Sequence, residues 1–154
     1  MLLAWMADAA PTHGFVRSLF QLHLVIAPSA AQIAARSRTE RHVSALGHAL
    51  ETMAERTLET PEGQRAGEDF HKVLIEATGN ELLVSLAAAI GAAGGWPRFL
   101  RHRPPGDVND PIARHRALFE AILNRDGLAA FAATRSLVRE TERAALALLG
   151  IDST

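Results

Sequence analysis

Apolar residues recur at spacings of three and four along almost the whole chain, and no stretch alternates as a half-buried strand would. Val43, Leu46, Leu50 and Met53 form one such series, and Ile112, His115, Phe119 and Ile122 form another. A third runs through Phe131, Thr134, Val138, Thr141, Ala145 and Leu148. This period places each series on one face of an α-helix, and an apolar face must be buried against other helices. Alanine and leucine dominate and β-branched runs are absent, which favours helix throughout. The predicted fold is all-α: an antiparallel bundle of six to seven helices with short connections.

Capping and breaking residues divide the chain. A short helix is predicted over about Leu2 to Ala9, stopped by Pro11, and a long one over about Phe15 to Arg36. Pro28 falls inside the latter and predicts a kink or break near Ala27. Thr39 is placed to cap the third helix. The segment Glu59-Thr60-Pro61-Glu62-Gly63 reads as a loop. A fourth helix follows with Ala66, Phe70, Val73, Leu74 and Ala77 on one face, and Thr78-Gly79-Asn80 ends it. The fifth helix starts at Glu81 and weakens in the small-residue segment that ends at Trp96 and Pro97. Glycines there cost about 1 kcal/mol each relative to alanine, so close helix packing or room for a ligand must offset them. After a loop with Pro104, Pro105 and Gly106, Asp110 caps a sixth helix with Pro111 in its first position. The sixth ends near Arg125-Asp126-Gly127, and the seventh runs to about Leu149.

At 154 residues the chain suits one domain with a sizeable core. A net charge of -1 gives no overall basic field that would draw in nucleic acid. No cysteine is present, which excludes disulfides and thiolate metal sites and suits a cytoplasmic setting. The apolar N-terminus lacks a basic leader region and contains Asp8, so it reads neither as a signal peptide nor as a membrane span.

Three histidines interrupt apolar stripes: His23, His71 and His115. A buried polar group costs about 1–3 kcal/mol unless it is bonded, so three of them point to a shared polar pocket. The bland alternative is that each bonds a backbone carbonyl or a water. His115 has the clearest stripe position. His23 lies in an almost wholly apolar segment, residues 19–26, which predicts burial, and His71 borders the Phe70 and Leu74 face. Thr134 and Thr141 also occupy stripe positions; their hydroxyls either bond the preceding turn or offer a pocket polar groups. His13, His42 and His48 have polar neighbours and carry no assigned role. Motifs for serine hydrolases, zinc proteases and nucleotide binding are missing, and no pattern of arginines and aromatics suggests base stacking.

The order of segments resembles a known family. Residues 19–40, LFQLHLVIAPSAAQIAARSRTE, are similar to the opening helix of the FCD domain, the effector-binding domain of FadR-type GntR transcriptional regulators. Residues 69–83, DFHKVLIEATGNELL, resemble the family's F-H-x-x-L-x-x-A-S-G-N-P-L-L. Residues 115–138 resemble its H-x-x-I-x-x-A-I-x-x-G-D and the start of its last helix, and residues 2–20 resemble the link that follows the DNA-binding domain. The likeness covers nearly the whole chain, and residues 1–154 are expected to form one such ligand-binding domain. It implies a helical bundle enclosing a small-molecule pocket, usual homodimerisation, and a winged helix-turn-helix expected upstream, through which alone DNA would be bound. Trp5 and Trp96 are candidate interface residues.

In many family members one Asp and three His hold a divalent metal that helps bind a carboxylate effector. By that resemblance His71 and His115 stand at metal-ligand positions, while the Asp position is Gly67 and the last His position is Leu137. Two neutral imidazoles without a carboxylate make a weak site for a hard or borderline cation. A divalent metal is therefore less expected here than in the family, and no other cofactor is implied. His23 stands where an arginine is usual, and Ala27 where a glutamate is.

The leading expectation is an effector-sensing and dimerisation domain of a transcriptional regulator, cytoplasmic and not an enzyme. It would bind a small, carboxylate-bearing metabolite through His23, His71, His115, Thr134 and Thr141. The alternatives are a helical metal-binding protein or metalloenzyme using the core histidines, and a dimerisation module without a ligand.

Overall fold

Short polar side chains restart the helices where the sequence places them. Thr39 accepts a hydrogen bond from the His42 backbone N–H, and the His42 ring accepts one from the Thr39 N–H, so the two close a reciprocal cap. The Asn80 side chain accepts from Leu82 and Leu83, and Asp110 accepts from Ile112. Gly79 adopts φ +64°, the left-handed conformation that ends a helix at lowest cost in glycine.

The computed structural model describes residues 13–94 and 110–148. Over these residues it contains six helices: α1 (His13–Ser37), α2 (Glu40–Arg56), α3 (Pro61–Glu76), α4 (Glu81–Gly94), α5 (Pro111–Leu123) and α6 (Gly127–Leu148). No strand occurs among them, so the all-α expectation holds. The predicted helix from Leu2 to Ala9, the loop at Pro104–Gly106, and both Trp5 and Trp96 lie outside the described residues.

Three local readings need adjustment. The helix continues through Pro28, so of the kink or break predicted near Ala27 the break is absent. Proline removes one backbone hydrogen bond, and burial of Pro28 within the bundle offsets that loss. Helix α3 begins at Pro61, inside the expected loop, because Thr60 caps it by accepting from the Gly63 N–H. Gly63 is required there for a second reason: a Cβ would lie 1.7 Å from the Thr57 carbonyl oxygen. Finally, α1 is not buried all round, since Val25 is 71% exposed and Leu22 is 40% exposed. By length and composition α1 could cross a membrane. In the bundle it packs along α6 as a core helix.

The main core gathers Ala31, Leu46, Met53, Phe70, Leu118 and Ile122 from four helices. A smaller cluster joins Val16 and Phe20 of α1 to Val138, Ala145 and Leu146 of α6. Helix α1 packs most extensively on α6, and α2 on α3. By contrast, the α3 and α5 backbones scarcely touch, and α1 and α2 lie against both. That arrangement leaves the span between α3 and α5 to side chains.

Two arginines tie the bundle together at one end. Buried Arg38, between α1 and α2, donates to the carbonyls of Ile122 (3.3 Å) and Leu123 (2.6 Å) at the C-terminus of α5, and it pairs with Glu40. Arg125, between α5 and α6, donates back to the carbonyls of Arg36 (2.9 Å) and Arg38 (3.4 Å) at the C-terminus of α1. Terminal carbonyls have no partner within their helix and carry partial negative charge, so each guanidinium caps the other segment's helix.

Candidate functional site: a histidine pair between α3 and α5

The Ile112, His115, Phe119 and Ile122 stripe turns His115 inward from α5, where it is 4% exposed. On α3, the face carrying Ala66, Phe70 and Leu74 is buried, and His71 at its border is half-buried. The two imidazoles meet: His115 Nε2 lies 3.2 Å from His71 Nε2. Fully buried Phe70 packs edge-on against both, with ring centroids 5.2 Å from His115 and 5.8 Å from His71. Such edge-to-face contacts favour a fixed ring geometry.

One proton can be assigned from its partner. His115 Nδ1 lies 2.7 Å from the Pro111 carbonyl oxygen, which can only accept, so Nδ1 carries the hydrogen and donates. The His71–His115 contact is then a hydrogen bond in which one Nε2 carries the hydrogen and the other accepts. Burial, then the neighbouring His115 and His23, push the His71 pKa down to about 3. Burial also lowers the pKa of His23.

The sign of the resulting pH dependence is fixed. The unfolded chain protonates His71 near pH 6.5, whereas the folded chain keeps it neutral to about pH 3. The contribution is complete above about pH 6.5 and is lost as pH falls from there toward 3. The urea midpoint should fall between pH 7.5 and pH 5, and His71→Phe should fall less over that interval. Equal losses in both proteins would contradict the assignment.

Of the five residues expected from the sequence, His71 and His115 are in contact, and His23 is near enough to disfavour a proton on His71. Thr134 is buried at 3% exposure, and its hydroxyl has no hydrogen-bond partner among the described residues. Thr141 is half-buried and donates to the Leu137 carbonyl, the local bond that the sequence offered as its alternative role. His42, given no role from sequence, closes the α2 cap. The pairing of hydrophilic His42 with Thr39 three residues before it was the available signal.

The donors do not fit the four-ligand metal centre that the resemblance describes. Gly67 has no side chain, and a Cβ there would point at Leu58 (3.6 Å) and Met53 (3.8 Å). Leu137 is buried in the main apolar core. Among the described residues, no group of three or more His, Cys, Asp or Glu side chains is arranged to hold a metal ion.

Comparison with known proteins gives the lineage of this arrangement. A family model for the FCD domain matches residues 18–140, which includes both histidines of the pair. The chain belongs to the FCD domain family. The HTH-type transcriptional repressor NanR of Klebsiella aerogenes is 28% identical over 121 residues, covering 77% of this chain and 46% of that protein. The chain thus spans about half the length of the curated relative it matches. Two solved structures share the fold. Streptococcus agalactiae GntR has a TM-score of 0.74 at 20% identity, covering 88% of this chain and 62% of that one. E. coli McbR/YncC has a TM-score of 0.71 at 13% identity, covering 91% and 66% respectively. The FCD domain is the effector-binding domain type of GntR-family transcriptional regulators.

Proposed function

We propose that this FCD domain senses a small metabolite at the histidine pair and passes its occupancy to a DNA-binding domain. The observation that carries the reading is the His71–His115 contact, two imidazoles joining α3 and α5 where the backbones scarcely touch. Buried Thr134, with its unspent hydroxyl, supports a polar interior that a ligand completes. An effector that prefers one spacing of α3 and α5 shifts the population toward it, and only that difference in affinity can do regulatory work. In the full regulator, a homodimer in the cytoplasm would connect this shift to operator binding through a winged helix-turn-helix; the repressor name of the Klebsiella relative supports that role.

The test is a thermal-shift screen of the purified domain against a metabolite library, with His71→Phe as the control. A saturable rise in Tm in the wild type that disappears in the variant is expected. Hits that stabilise both proteins equally would place the ligand elsewhere and reject the site.

A further inference from the structure

We propose that the outer face of α6 carries a second ligand site, an arginine-lined cleft that takes a small organic phosphate. It shares no residue with the histidine pair and does not depend on the effector reading above.

Phe131, Arg135, Arg139 and Arg143 follow one another at intervals of four. That spacing stands them in a row along one face of α6. With Ser136 and Glu140 they line a cleft of about 370 Å³ that opens to solvent. Small-molecule sites run from roughly 300 to 1,000 Å³, so the cleft is large enough for one compact ligand. Phe131 is half-buried, Arg135 and Arg139 are exposed, and the Arg143 side chain is 70% exposed.

Like charges four residues apart on a helix repel each other, and this row keeps three of them. The carboxylate that lines the cleft, Glu140, is already engaged. Arg143 Nη1 lies 2.9 Å from it, and Arg114 Nη1 of α5 lies 3.5 Å from it. Arg114 also donates to the Ser136 hydroxyl at 3.1 Å, which anchors it across the α5–α6 seam. The Glu140 and Arg114 charges cancel, so Arg135, Arg139 and Arg143 leave the cleft with three positive charges. Glu142 follows Arg139 by three residues but does not pair with it, and neither Arg135 nor Arg139 has an acidic partner among the described residues. An anion in the cleft would relieve the repulsion along the row.

The chemistry of the lining selects the anion. A guanidinium keeps its charge at every working pH and offers a planar fork of N–H donors that matches a phosphate. A phosphate monoester carries nearly two negative charges at neutral pH and three acceptor oxygens, which uses several forks where one carboxylate would use a single one. The Phe131 ring at the end of the row gives the organic part of the ester an apolar seat. A duplex backbone is the poorer fit: its phosphates run along an extended surface, and the chain's net charge of -1 supplies no broad basic field to hold them.

The experiment titrates phenyl phosphate into the nitrogen-15-labelled chain and follows the backbone amides by NMR. Saturable shifts should centre on residues 131–143. Because the cleft is open, affinity should fall several-fold between about 0.05 M and 0.2 M salt. Arg135→Gln combined with Arg139→Gln should weaken binding by about tenfold or more and leave Tm unchanged, since both side chains are exposed. Arg65→Gln, an exposed arginine of α3, should bind like the wild type. Inorganic phosphate, which leaves Phe131 uncovered, should bind several-fold more weakly than phenyl phosphate. No saturable binding, shifts centred on another surface, or equal affinity of the double variant and the wild type would overturn the site. Equal affinity for inorganic and phenyl phosphate would overturn the organic-ester class. A short DNA duplex that shifts the same amides at lower concentration than phenyl phosphate would overturn the small-molecule assignment in favour of a nucleic-acid surface.

Discussion

Truncating Phe70 to alanine is expected to lower the unfolding free energy by about 3–5 kcal/mol, the range for deleting a large buried aromatic. Phe70 is fully buried in the main core and also holds both imidazoles edge-on. Two effects therefore combine: loss of apolar burial with a residual cavity, and loss of the surface that orients the histidine pair. Urea unfolding followed by circular dichroism measures the first. In the same variant, the His115 and His71 tautomer signals should broaden or average, because the rings lose their common wall. A cost below about 1 kcal/mol would mean that the site collapses around the gap, and would remove Phe70 as its structural support.

Replacing Arg38 with alanine is the second large effect, about 3 kcal/mol, since hydrogen bonds to a charged group are worth about 1.5–3 kcal/mol and do not add fully. The loss arises at a distance from the mutated residue. It removes the donor to the Leu123 carbonyl and the second donor to the Ile122 carbonyl, which keeps the Arg125 N–H, and it leaves Glu40 without its partner. Arg38→Lys should recover only part of the loss, because an ammonium lacks the planar fork that reaches two carbonyls at once. Hydrogen exchange should show the faster opening first in residues 120–126, where α5 ends. Equal stability of Arg38→Ala and the wild type would show that Arg125 alone secures this end of the bundle.

How far the sequence could be read follows from the range of each interaction. Caps are local, so Thr39 and Asp110 were legible within two or three residues of the backbone N–H groups that donate to them. The burial of His115 was legible because its helical stripe is continuous. The contact between His71 and His115 joins residues 44 apart, and no periodicity specifies which rings will meet across a bundle. Arg38 was illegible for a related reason. Between Ser37 and Thr39 it reads as a solvated loop charge, and only the position of the α5 terminus turns it into a buried cap. The exposure of Val25 misled in the opposite direction: an apolar sequence shows what prefers burial, not whether a neighbour covers it.

The histidine pair carries the functional account, and one titration tests it most directly. A ligand found in the metabolite screen is titrated calorimetrically into the wild type and into His71→Phe, at pH 7.5 with EDTA present. The account predicts binding by the wild type without metal and a loss of about 100-fold in the variant, on the order of 3 kcal/mol. Equal affinity in the two proteins, or binding that appears only when EDTA is replaced by zinc, would contradict it.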